Sequence, residues 1–139
     1  MTPYYLAFFT AILWGAASSL EKAALFQMSP LMAVFLRSIA ITVCITMIVG
    51  FTNNFGSISK LPLRTTIFIA VAGILSAVIG QYLYFCAMKL APASKVVPIA
   101  GTYPLFAALF AALFLGERIT IYNAIGIILV IAGVGLVRS

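Results

Sequence analysis

Charged side chains collect at the ends of long apolar runs in this chain of 139 residues. They stand at positions 21, 22, 37, 60, 64, 89, 95, 117, 118 and 138, and Arg37 is the one set well inside a run. The runs read as helices over 4–24, 29–50, 65–88, 95–115 and 120–137. Each is close to the ~20 residues that an α-helix needs to cross about 30 Å of hydrocarbon. They are too long and too evenly apolar for the alternation of a barrel strand. The fold class predicted is an all-α integral membrane protein, with five transmembrane helices in one domain over 1–139. Ser29 suits an N-cap, Pro30 a first turn and Gly50 a stop, and the polar stretch 51–64 reads as a loop.

Composition fixes the solvent. Hydrophobic residues make up 65% of the chain and charged ones 7%, against about 45–50% and 25% in soluble domains. Such a chain cannot cover a surface facing water, so the lipid bilayer is its first partner. The net charge of +6 is scattered and forms no basic patch, which excludes nucleic acid as a partner. Cys44 and Cys86 lie in apolar runs and read as small hydrophobes. The start, MTPYYLAFF, has no basic region and reads as part of the first span rather than a cleaved signal.

An odd number of spans sets the two termini on opposite sides of the membrane. One side then carries Lys60, Arg64 and Arg118, and the other Lys22, Lys89, Lys95 and Arg138, with Arg37 reaching toward it. This is a weak bias for a rule that depends on an excess of cations inside. Two readings stay open: a single topology fixed by other factors, or insertion both ways, which would let two copies pair antiparallel.

Catalysis is hard to build from these residues. The chain has no His and no Asp, so it lacks the usual triads, the HExxH motif and carboxylate metal clusters. No enzyme activity, metal or cofactor is expected. The chemistry left is binding and movement.

Thr10, Trp14, Ser18 and Glu21 fall on one face of the first helix, because steps of three or four residues return to one side. Polar faces in membranes point into a bundle or a cavity. Arg37 sits two turns into the second span, roughly 10 Å below its Pro30 end, at a depth similar to that of Glu21. Glu21 and Arg37 are candidates for a coupling or gating ion pair; the alternatives are a glutamate solvated by headgroups and a lone proton carrier. Lys22 is the alternative partner for the glutamate, but it points about 100° away and can snorkel outward.

In the fourth span Pro98 and Pro104, with Gly101 between them, mark a hinge or a broken helix. Thr102 and Tyr103 lie at that break. Gln81 and Tyr84 share one face of the third span. The candidates for substrate contact are Trp14, Ser18, Gln81, Tyr84, Thr102 and Tyr103. Small-residue stripes, Gly73, Ala77 and Gly80 in the third span and Ala108 and Ala112 in the fourth, suit close helix packing. A further face on the fifth, Asn123, Gly126, Val130 and Gly133, suits a dimer contact.

The stretches WG at 14–15, SPLMAVFLR at 29–37, ASKVVPIAGTYPLFAALFAALFLGERIT at 93–120 and GIILVIAGVGLV at 126–137 resemble the EamA module of the drug/metabolite transporter superfamily. LGER closing an apolar helix is the most specific part. Most relatives carry two such modules in inverted orientation, ten helices in all, and move small metabolites. The resemblance therefore implies a five-helix member working as an antiparallel homodimer in the inner (plasma) membrane of a prokaryote. It makes Glu117 and Arg118 helix-end structural residues. Small multidrug resistance relatives couple substrate to protons through a glutamate in the first helix; Glu21 is similar in kind but sits later in its helix. The function expected is secondary transport of small metabolites (amino-acid-like, amine or other small organic solutes) by alternating access, through a central cavity lined by the first four spans. The alternative is a non-transporting membrane subunit that packs against a partner.

Overall fold

The computed structural model describes residues 3–52, 55–56 and 61–138. Lys60, which entered the charge comparison, lies outside the described residues, as do 53–54 and 57–59 of the loop expected over 51–64; Phe51 belongs to a helix, as do Leu63 and Arg64. Five helices account for most of the rest. They are α1 (Pro3–Leu25), α2 (Pro30–Phe51), α3 (Leu63–Leu90), α4 (Ala93–Leu115) and α5 (Ile121–Arg138). There is no strand among the described residues.

Three of them, α2, α3 and α4, are long and apolar enough to cross a membrane. The other two fall short of that measure for different reasons. With 23 residues α1 has the length, but Thr10, Ser18, Ser19, Glu21 and Lys22 dilute its apolar character. In α5 the apolar stretch, Ile121–Val137, is shorter.

Helix ends follow from local chemistry. Ser29 caps α2, its hydroxyl accepting the Met32 amide at 3.3 Å, and Pro30 occupies the first turn. Its missing N–H is no loss there. The far end differs from expectation: Gly50 does not stop α2, which runs on to Phe51. Thr52 closes it, with Oγ1 donating to the carbonyls of Ile48 (2.9 Å) and Val49 (3.2 Å). At the end of α4, Gly116 takes a left-handed conformation (φ +68°) and the Glu117 amide donates back to Ala111 O at 3.2 Å. This is how a helix ends on glycine. In the LGER stretch it is thus the backbone of Gly116 and Glu117 that closes the helix.

Two helices contain irregular turns. Ile74–Gly80 of α3 and Ala111–Leu115 of α4 are wound as π-helix, the wider form that is rare and often found at functional sites. A break at Gly101–Thr102 divides α4.

The chain separates into two compact units, Met1–Leu90 and Ala91–Ser139. In the first, α1, α2 and the last turns of α3 (Gln81–Leu90) pack on one another. Its core is confined to the end where α1 stops, α2 starts and α3 stops. Leu25 and Phe85 are 2% exposed there and Met88 fully enclosed, beside Ala33 and Val34. Most other apolar side chains of this unit stay uncovered, as suits helices solvated by lipid. In the second unit α5 packs against Ala93–Ala100 of α4.

The glycines Gly73, Gly80 and Gly133 of the small-residue stripes have no close neighbour from another helix of their own units. A Cβ added at Gly73 or Gly133 would meet nothing within 4 Å, and one at Gly80 would meet only Leu75 O of its own helix, at 3.1 Å. Gly80 instead accommodates the tighter backbone contact inside the π-wound stretch.

Candidate functional site

In the first unit the polar face of α1 is the organising feature. Hydroxyls in a membrane helix can satisfy themselves on the carbonyl one turn back. Thr10 donates to Leu6 O at 2.9 Å and Ser18 to Trp14 O at 2.8 Å. Ser18 also accepts a hydrogen bond from the Tyr84 hydroxyl of α3 at 3.0 Å. One turn further along the same face, Glu21 Oε1 lies 3.3 Å from Arg37 Nε of α2. The glutamate side chain is 18% exposed and the arginine 39%, so the pair is only partly withdrawn from its surroundings. One face of α1 therefore holds α3 through a hydroxyl bond and α2 through an ion pair.

Lysines close the same end, and Lys22 turns to a neighbouring helix rather than snorkelling outward. Lys22 Nζ donates to the carbonyl of Met88 and lies 5.4 Å from the centre of the Phe26 ring. Lys89 Nζ donates to Met28 O, in the turn after α1, at 2.6 Å. The acceptor Met88 O belongs to the last turn of α3, where carbonyls lack a partner within the helix and the dipole favours a cation. The lysine stays because α3 ends within its reach. Sequence reasoning missed both contacts: a backbone carbonyl carries no residue signature, and the only hint is a lysine close to a helix end.

Of the substrate-contact candidates in this unit, the structure joins Ser18 and Tyr84. The Trp14 ring is 62% exposed. Gln81 is half-buried and sits directly after the π-wound stretch, its backbone N–H donating to Ser76 O.

Thr102 and Tyr103 belong to the second unit. The hinge candidates Pro98, Gly101 and Pro104 bracket the break in α4. The Gly101 amide donates to Val97 O at 2.8 Å, and both the amide and the hydroxyl of Thr102 turn back to Ile99 O, at 3.1 and 2.8 Å. A Cβ on Gly101 would lie 3.1 Å from Pro98 O and 3.3 Å from Val97 O, so the turn favours a residue without a side chain. Beyond the break a groove of about 380 Å³ opens between α4 and α5. Its walls include Thr102, Leu105 and Ala108 on one side and Asn123, Gly126 and Val130 on the other. The α5 face expected to meet a second copy thus lines, over most of its length, a groove of its own unit. Tyr103 stays exposed and is not part of that lining.

Among the described residues no group of three or more His, Cys, Asp or Glu side chains could hold a metal. Cys44 and Cys86 are both free.

A Sinorhizobium protein named "uncharacterized transporter in cobO 3'region" is 31% identical over 129 residues, 90% of this chain and 91% of its own. An Archaeoglobus fulgidus protein named "uncharacterized transporter" is 29% identical over 77 residues, 55% of this chain. Those residues are 28% of that protein, which is therefore about twice as long. No solved structure matches the chain significantly. The model of the EamA-like transporter family matches residues 1–139. Because that match runs the whole length, the protein belongs to the EamA-like transporter family, and its long apolar helices make it a multi-pass membrane transporter.

Proposed function

We propose that this protein is a secondary transporter of small organic solutes, amino-acid-like or amine compounds among them. It works by alternating access in an antiparallel homodimer in the inner membrane of a prokaryote. All five helices span, α1 and α5 included, so that 1–139 is one module and two inverted copies supply the pseudo-symmetric halves such a mechanism uses. The observation that carries this reading is the polar face of α1. Ser18 bonded to Tyr84 and Glu21 paired with Arg37 hold polar groups among membrane helices, where they are costly unless they serve a pathway.

Glu21 and Arg37 act as the gate or coupling pair. Trp14, Ser18, Gln81 and Tyr84 are the proposed solute contacts of the first unit and Thr102 and Tyr103 those of the second, with Pro98, Gly101 and Pro104 as the hinge. The double length of the Archaeoglobus relative supports pairing, as does origin in a bacterium and an archaeon for the location. Flux of labelled solutes into liposomes holding only this protein is the test. Saturable uptake of at least one small organic solute is expected. No flux for any solute in a broad panel, from folded protein, would leave a subunit that packs against a partner.

A further inference from the structure

We infer that the π-wound stretch Ile74–Gly80 is a register joint: α3 exchanges it for ordinary α turns, and the turning of Gln81–Leu90 that follows opens the first unit. The stretch stands where α3 changes character. Every residue from Leu63 to Gly80 is exposed, whereas Gln81–Leu90 carries the enclosed Phe85 and Met88. That same segment holds the α1 end through three bonds: Tyr84 to Ser18, Lys22 to Met88 O, and Lys89 to Met28 O. At the joint the backbone N–H of Gln81 reaches Ser76 O, five residues back, so its turns hold one residue more than α turns do. Gly80 permits this, because a Cβ there would lie 3.1 Å from Leu75 O. The π turns of α4 differ: Gly116 follows them in a left-handed conformation and ends the helix, leaving no packed turns beyond to move.

A membrane helix can change register at such a stretch without leaving its backbone unbonded. Each N–H that gives up the carbonyl five residues back takes the one four residues back, and lipid offers no substitute for a lost bond. Relaxing the stretch passes its spare residue to the segment beyond. That segment then turns by about 100° and advances by about 1.5 Å, the step of one residue. Each place on it is taken by the residue before. Leu83 comes to face Ser18 where Tyr84 had donated, and Ala87 enters the enclosed position of Met88. The hydroxyl bond is lost and the small core loses its thioether side chain, so α1 and α3 part at this end. The two registers are balanced: α winding is the better backbone form, and π winding gives the better-packed core. The role of this exchange in opening rests on the alternating-access reading given above.

The test measures the distance between spin labels on Leu20→Cys of α1 and Leu83→Cys, both exposed positions. It uses the whole protein in liposomes, with Cys44 and Cys86 replaced by serine and labelled copies diluted among unlabelled ones. On a helix about 10–12 Å across, a turn of about 100° carries an outer side chain by roughly 8 Å. The otherwise unaltered chain is expected to show two distances, several ångströms apart. Deleting Val78 removes the spare residue. That variant should unfold at the same denaturant concentration, keep only the distance of the packed register, and lose uptake of any solute the wild type moves. Deleting Val78 and Ile79 together takes a residue the joint cannot give, and should abolish the packed distance and lower stability. A single distance without any deletion overturns the inference. So does a Val78 deletion that fails to fold or keeps both distances. Wild-type uptake by a Val78 deletion fixed at one distance would overturn the link to opening. Two distances in a protein that moves no solute would uphold the joint and refute the proposed function, so the two failures are distinguishable.

Discussion

Removing Arg37 is the most informative single change, because it separates what the ion pair contributes from what Glu21 does alone. At 3.3 Å and an effective dielectric near 20, the attraction between unit charges is about 5 kcal/mol before desolvation is subtracted. Exposed pairs retain only about 0.2–1 kcal/mol of this, whereas breaking a buried pair costs about 3–5. With Glu21 18% and Arg37 39% exposed, the pair lies between these limits. We expect Arg37→Gln and Glu21→Gln each to destabilise the protein by roughly 1–3 kcal/mol. The double variant should cost less than the sum of the singles, with a coupling of roughly 1–2 kcal/mol. The swap Glu21→Arg with Arg37→Glu should restore part of the loss. Reversible unfolding in mixed micelles, followed for all five proteins, gives these quantities directly. Strict additivity of the two single changes, with no recovery in the swap, would refute the pairing argument. A Glu21→Gln protein as stable as wild type but without proton-driven uptake would make the glutamate a proton carrier instead.

Three further changes probe separate links. Met88→Ala empties a fully enclosed position in the small core and should cost about 2–5 kcal/mol by the same unfolding assay. Gly116→Ala forces a side chain into a left-handed turn (φ +68°) with open space around it, so a loss of only about 1 kcal/mol is expected. Trp14→Ala removes a ring already 62% exposed; it should raise the apparent substrate constant and leave stability nearly unchanged, whereas unaltered transport of every substrate would make Trp14 a packing residue.

The helices were legible because lipid demands unbroken apolar runs, and charges such as Lys89 and Glu117 mark where each run stops. Their ends moved by a residue or two where a side-chain cap decided the matter, as Thr52 does beyond Gly50. The shared depth of Glu21 and Arg37 was also legible, since helical rise alone sets it. Winding was not: nothing in ILSAVIG announces a π-wound stretch, which depends on backbone bonds that several sequences can make. Nor was the destination of Lys22, because its acceptor is a carbonyl on a helix 66 residues away. The break in α4 could be read from Pro98, Gly101 and Pro104. Which helix the face of Asn123, Gly126 and Val130 would meet could not, as a small-residue face suits a second copy as well as a neighbour in the same unit.

The central claim is that one short chain provides both halves of a transporter by inserting in two orientations. Its most direct test is a single thiol at position 139, beyond the end of α5, in a protein with Cys44 and Cys86 replaced by serine. Membrane-impermeant reagent would be applied to sealed vesicles of known orientation and to the same vesicles inverted. The account predicts that close to half of the chains are labelled in each preparation and that the two fractions together make the whole. Labelling confined to one side of the membrane in both preparations would contradict it.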